Sequence, residues 1–211
     1  MQARFPVPED AEEDSGLILM VTEKGESFWS VAMLSKSRGL YHPLIRRNRK
    51  GSRPDLFDTG HARISRPKQG ELIFLSEYQP TRRRTGIAKS YERLTITSRF
   101  AEIIRKNAQH LPEPASVFAL SEQFFNSIES EPAPKASYLK TLYLLAKNEG
   151  LPVREDWVSG LGQQGQRDLA SILRKSLAEQ PDDTVIFDHL MRSLEDWLVR
   201  EAHFSIPGIF G

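Results

Sequence analysis

The 211-residue chain contains no cysteine. That excludes disulfides, thiolate zinc sites and cysteine nucleophiles, and it fits a reducing compartment. Long apolar runs are also missing. The longest nearly uncharged one, Leu17 to Val21, is far shorter than the roughly 20 residues a membrane-spanning helix needs. The opening MQARFPVPEDAEED lacks the basic start, apolar middle and small-residue cleavage site of a secretory signal, so the expected location is the cytoplasm. The five histidines, His42, His61, His110, His189 and His203, show none of the close pairings that hold a metal. There is no GxSxG elbow and no phosphate loop, and the densest acidic runs, Glu9 to Asp14 and Glu129 to Glu131, fall in tail or loop. No catalytic residue, metal or cofactor is expected, and the chain reads as a non-enzyme.

One motif runs against that reading. GLGQQG, Gly160 to Gly165, matches GxGxxG, with Asp182 and Asp183 about twenty residues on. Dinucleotide binding needs an apolar strand just before the glycines. Here VREDWVS precedes them, with three consecutive charges. The segment is expected to be a loop capping the fourth helix.

Acid is scarce where base is dense. From Lys36 to Arg53 there are seven bases, Lys36, Arg38, Arg46, Arg47, Arg49, Lys50 and Arg53, and no acid. The overall charge of +1 hides this asymmetry: residues 15–99 hold 17 Lys/Arg against 7 Asp/Glu, a net +10. Such a segment attracts phosphate chains or anionic surfaces over about a Debye length, roughly 8 Å at physiological salt. Clustered like charges repel unless a counter-charge arrives, and a phosphate backbone supplies one. A second cluster, Arg82, Arg83 and Arg84, follows, with Arg63, Arg66 and Lys68 between. The candidate nucleic-acid contacts are therefore Lys36, Arg38, Arg46, Arg47, Arg49, Lys50, Arg53, Arg82, Arg83 and Arg84. Five phosphate contacts from Arg46 to Arg53 would give a salt slope of about −3.5 on a single strand.

The apolar pattern divides the chain. Residues 1–14, with Glu12 to Asp14 in a row and two prolines, read as a disordered acidic tail. GLILMVTE and SFWSVAMLSK, joined by Lys24, Gly25 and Glu26, predict a hairpin. Both faces of the second run are apolar, which suits a closed or strongly curled sheet. GLYHPLI, LFDTGHARIS and ELIFLSEYQ bring the expected strands to five, a small barrel. After TRRRTG the period becomes 3.6, with five apolar stripes centred on Ile103, Phe124, Leu142, Ile172 and Leu194. These predict helices packed as a bundle. The aromatics of the basic part, Phe28, Trp29, Tyr41, Phe57, Phe74 and Tyr78, mostly fill the barrel, with Tyr41 or Tyr78 expected to face a ligand. The apolar C-terminus HFSIPGIFG is expected to pack back over the helices, with a hydrophobic peg for a partner as the alternative.

The order of these features resembles the bacterial recombination mediator RecO family. GLILMVTEKGESFWSVAMLSKSRGLYHPLIRRNRKGSRPDLFD looks like that family's opening, at Gly39, the stretch Arg46 to Arg53, Pro54 and Phe57. GELIFLSEYQ is similar to its last barrel strand. RFAEIIRKNAQHLPEPASVFALSEQFFNSI looks like its first two bundle helices, and YLKTLYLLAKNEGLPV resembles the helix ending in a Gly-Leu-Pro turn. The likeness covers about residues 16 to 158. Many members place zinc-binding cysteines after that turn. REDWVSGLGQQG has none, so zinc is not expected.

The resemblance implies an α+β chain: an OB-fold nucleic-acid-binding domain over residues 15–84, then an all-α helical domain over residues 85–211. It further implies DNA repair and recombination by a nucleoid-associated protein that binds single- and double-stranded DNA and anneals strands. With RecR, such a protein helps load recombinase onto DNA coated by single-stranded-DNA-binding protein. Two other readings of the residues stand beside it: an RNA-binding OB module of ribosome assembly or translation, and a non-catalytic helical adaptor with a structural barrel.

Overall fold

A computed structural model describes residues 12–47, 52–66, 72–181 and 184–208. The chain forms two compact units, Met1–Arg83 and Arg84–Gly211, so the division falls one residue before the expected junction.

Among the described residues the first unit carries six strands: β1 (Glu12–Lys24), β2 (Phe28–Ser35), β3 (Gly39–Tyr41), β4 (Leu44–Arg46), β5 (Thr59–Ser65) and β6 (Phe74–Arg82). They make one sheet in the order β1-β5-β6-β4-β2-β3, and β1 also pairs with β2. The pairings thus run from β1 through β5, β6, β4 and β2 and return to β1. All are antiparallel except β4 with β6, which meet at Leu44 and Phe74, with the Leu44 amide donating to the Ile73 carbonyl at 2.8 Å.

Six strands appear where five were expected because GLYHPLI is interrupted. One edge of β2 pairs with β3 at Met33–Ser35 and with β4 at Phe28–Ser30. Between them stands Pro43, which has no amide hydrogen to give to a ladder; its carbonyl still accepts from the Val31 amide at 3.0 Å.

The expected tail also needs correcting. Glu12, Glu13 and Asp14 open β1, opposite Ile64, Arg63 and Ala62 of β5. Asp14 is held by partners far away in sequence: its carboxylate accepts from the Ser35 hydroxyl at 2.7 Å and the Tyr41 hydroxyl at 2.9 Å. A run of acids reads as a solvated tail until partners fold onto it. The remainder of that tail, Met1 to Ala11, lies outside the described residues.

Inside the first unit, Ile18, Val31, Met33, Ile45, Ala62, Ile64, Leu75 and Tyr78 form a buried cluster, with Val21, Trp29, Tyr41 and Ile73 packed at its rim. Trp29, Val31 and Met33 share one face of β2, as a period of two requires. Leu34 and Ala32, on the other face, are buried too, in keeping with the two-faced apolar pattern. Close packing requires glycine at one pair of the register. Gly16 and Gly60 face each other across β1 and β5, and the Tyr78 ring lies so near Gly60 that a Cβ there would stand 2.5 Å from it.

The second unit holds α1 (Tyr91–Asn107), α2 (Pro114–Ser130), α3 (Pro134–Asn148), α4 (Gln163–Arg174) and α5 (Thr184–Glu201), with a π-helical turn at Val153–Val158. Prolines open α2 and α3 at their first positions, where the missing amide hydrogen costs nothing. Gly150, at φ 73°, ends α3, and the Leu151 amide donates back to the Ala146 carbonyl at 3.0 Å, as a left-handed cap requires. Phe100, Phe124, Phe125 and Tyr138 meet at the centre, with the Phe100 and Phe124 rings 4.4 Å apart. A buried ionic network lies beside them. Glu195 of α5 accepts two hydrogen bonds from Arg99 of α1, each 2.6 Å, and one from the Tyr138 hydroxyl of α3 at 2.5 Å.

GLGQQG does not form a single loop. Gly162 precedes the first turn of α4 and Gly165 lies within it. What comes before is the π-helical turn, whose Trp157 indole donates to the Ser193 hydroxyl at 3.0 Å. The strand that dinucleotide binding needs is not there.

At the C-terminus, Asn107 fixes the chain. Its amide group donates to the Ser205 carbonyl at 2.9 Å and accepts from the Ser205 amide at 2.8 Å, and Phe204 is buried. Residues 204 and 205 therefore pack back as expected. Ile209, Phe210 and Gly211 lie outside the described residues.

Candidate functional site

Three arginines of the first unit, Arg46, Arg47 and Arg53, lie on aromatic rings of β2. Phe28 and Trp29, neighbours in sequence, point to opposite faces of the strand, and each meets a guanidinium. Across the ladder, Phe28 pairs with Arg46 and Trp29 with Ile45. The Arg46 guanidinium carbon lies 5.9 Å from the centre of the Phe28 ring, which also packs on Phe74 at 5.9 Å. Trp29 takes two such groups: Arg47 at 4.5 Å and Arg53 at 3.9 Å.

Those two arginines flank the basic loop, so the half-buried indole draws both of its ends to one place. The separation of the two guanidinium carbons cannot exceed the sum of their distances to the ring. Holding like charges this close is unfavourable, and each exposed cation–π contact returns only about 0.5–1 kcal/mol. One carboxylate helps: Glu23 accepts from Arg47 at 2.9 Å. Among the described residues no carboxylate pairs with Arg53.

A surface depression beside this cluster is lined by Arg53, Pro54, Asp55 and Arg83. Its acid is already engaged, since the Asp55 carboxylate accepts from the Leu56 amide at 2.8 Å. Arg83 donates to the Arg53 carbonyl at 3.3 Å and pairs with the buried Asp58 at 3.4 Å, which ties the Arg53 segment to the end of β6.

The expected contact residues thus fall into distinct environments. Arg47 and Arg53 share the Trp29 ring, Arg83 is bonded to the Arg53 segment, Arg46 lies on Phe28 at the opposite face of β2, and Arg82 is exposed at the end of β6. Lys36 is exposed in the turn between β2 and β3. Arg38, in the same turn, pairs with Glu12 and lies 3.5 Å from Asp14, so its charge is matched within the fold. Arg49 and Lys50 lie outside the described residues.

Arg84 is a correction. Its side chain is fully buried in the second unit, donating to the Asn126 side-chain carbonyl at 2.9 and 2.7 Å and standing 3.7 Å from Glu122. It cannot reach a phosphate. Being the third of three arginines made it look like surface charge, whereas the chain turns into the helical unit at this residue.

The expected aromatic contacts are also replaced. Tyr78 is a core residue. Tyr41 is tied to Asp14, and burial together with that carboxylate pushes its phenol far above the ordinary tyrosine range. The rings that meet arginines in the first unit are instead Trp29 and Phe28, with Phe74 packed on Phe28. The signal was present in the alternation of β2, but alternation alone does not say which end of an inward-facing row reaches the surface.

Among the described residues no helix is long and apolar enough to cross a membrane, and no three His, Asp or Glu side chains converge as metal ligands. The chain matches no protein-family model and no curated protein.

Proposed function

We propose that this is a non-catalytic nucleic-acid-binding protein of the recombination-mediator kind, gripping DNA through the β2–β4 surface of its N-terminal unit. The observation that carries the reading is the stacking of Arg47 and Arg53 on Trp29 and of Arg46 on the neighbouring Phe28. Guanidiniums neutralise phosphates and aromatic rings accept bases, the two ingredients of single-strand binding.

Support for an OB-fold barrel comes from the strand pairing. With β3 and β4 counted as one interrupted strand, the order is first to second, second to third, third to fifth in parallel, fifth to fourth and fourth to first. OB folds bind oligonucleotides on the face of their second and third strands. Phe28, Trp29 and Arg46 belong to those strands. The helices of the second unit, joined through Glu195, would form a bundle offering a surface for partners.

The step from nucleic-acid binding to mediation rests on the resemblance to the RecO family over residues 16–158. In that reading the protein binds single- and double-stranded DNA in the nucleoid and anneals complementary strands. Together with RecR it helps load recombinase onto DNA covered by single-stranded-DNA-binding protein. The physics of annealing fits a basic surface, because neutralising two strands lowers their mutual repulsion. No covalent step is involved.

A strand-annealing assay with and without single-stranded-DNA-binding protein tests this proposal. Acceleration that weakens with added salt supports it, and an annealing rate unchanged by the protein sinks it. Competition between DNA and RNA strands of one sequence identifies the preferred sugar.

A further inference from the structure

We propose that Trp29 is a base-stacking platform that Arg47 and Arg53 cover in the free protein and uncover for an unpaired nucleotide. The inference rests on the nucleic-acid reading above and deepens it, because it names the part of the ligand that this site takes: a base no longer paired, with its own phosphates.

Three observations carry it. Trp29 is half-buried, packed at the rim of the core cluster yet reached by two guanidiniums. Arg53 has no carboxylate partner among the described residues, so its charge is available to a phosphate without breaking an ion pair. Arg47 is held by Glu23, whose side chain is 62% exposed and whose pairing with Arg47 is therefore weak. A phosphate offers either arginine a stronger, charge-assisted partner than an indole does, and a base on an aromatic ring binds more tightly than an exposed guanidinium. The exchange improves both contacts: each cation moves from ring to phosphate, and the ring passes from cation to base. A paired base inside a duplex has no free face to offer, so the platform distinguishes unpaired from paired strands.

The test uses the full chain and follows tryptophan emission and affinity together. The probes are oligothymidine, an abasic deoxyribose-phosphate strand of the same length, oligouridine and a blunt duplex. Oligothymidine is expected to quench emission and to bind about 5- to 150-fold more tightly than the abasic strand, the range for one stacked base. Trp29→Leu, which keeps an apolar side chain against the core, is expected to lose both the quenching and that advantage, while Trp29→Phe retains most of the advantage. Quenching by oligouridine as well supports the proposal and makes the ligand an unpaired strand of either sugar.

Equal affinity for the thymidine and abasic strands overturns the platform while leaving the electrostatic reading intact. Quenching that persists in Trp29→Leu, or that the duplex produces equally, overturns it as well. If no strand binds at all, the nucleic-acid reading fails with it.

Discussion

The guanidinium carbon of Arg53 lies 3.9 Å from the centre of the Trp29 ring, although the two residues are 24 positions apart. Arg47 reaches the same ring from the other end of the basic loop. An inward-facing tryptophan at the end of its row thus anchors a loop whose sequence shows only charge. Arg46, Arg47 and Arg53 have in common that β2 gives each of them a ring to lie on.

That arrangement predicts the salt dependence of binding. Replacing Arg46, Arg47 and Arg53 together by alanine removes three phosphate contacts and should flatten the slope of log K against log[salt] by about 2 for a single strand. A filter-binding or anisotropy titration at several salt concentrations measures it. A slope equal to that of the unmodified protein would show that these arginines do not touch phosphate.

Arg84 should behave in the opposite way. Arg84→Ala removes the hydrogen bonds to Asn126 and leaves a cavity beside Phe125. We expect a loss of stability of about 2–3 kcal/mol in a urea titration followed by circular dichroism. The salt slope for nucleic acid should remain unchanged, which separates the third arginine of TRRR from the second.

Alkaline pH should weaken the second unit through Tyr138. Burial, reinforced by the neighbouring Glu195, pushes its phenol well above the ordinary value of 10.0. Above pH 10 the unfolded chain releases this proton while the folded chain keeps it. Stability is therefore fully present below pH 10 and falls beyond it, by up to about 1.4 kcal/mol per pH unit from this group. Tyr138→Phe should flatten that decline, as read from urea midpoints across the alkaline range. An equally steep decline in the variant would assign it to other groups.

Asn107 should hold the end of the chain in place. Asn107→Ala deletes both hydrogen bonds to Ser205 and one to the Ile103 carbonyl, and we expect a cost of about 1–3 kcal/mol. Limited chymotrypsin digestion checks the local consequence: cleavage after Phe204 should accelerate in the variant, with the helices still intact by circular dichroism. Unchanged cleavage would mean that the burial of Phe204 suffices to hold the segment.

Much of the architecture follows from local pattern. The change of period after TRRRTG separates strands from helices, and the stripes around Ile103, Phe124, Leu142, Ile172 and Leu194 each correspond to a helix with that face buried. The Gly150–Pro152 stop signal corresponds to the end of α3. These features succeed because hydrophobic periodicity and backbone chemistry act within a few residues.

The departures arise at residues whose environment comes from far along the chain. Glu12 to Asp14 read as a tail because their strand partners lie about 50 residues away in β5. Arg38 and Arg84 counted as surface charge because nothing nearby in sequence neutralises them, yet Glu12 and Asp14 meet the one while Asn126 and Glu122 meet the other. Trp29 looked like one core aromatic among six.

Composition and periodicity, both local properties, are enough to divide the chain into a basic, strand-forming part and a helical part. Tertiary structure alone decided which cations remain at a surface and which rings they lie on. A charge is available to a ligand only after the fold has brought up, or failed to bring up, its partner, and that contact closes across a ladder or between helices rather than along the chain.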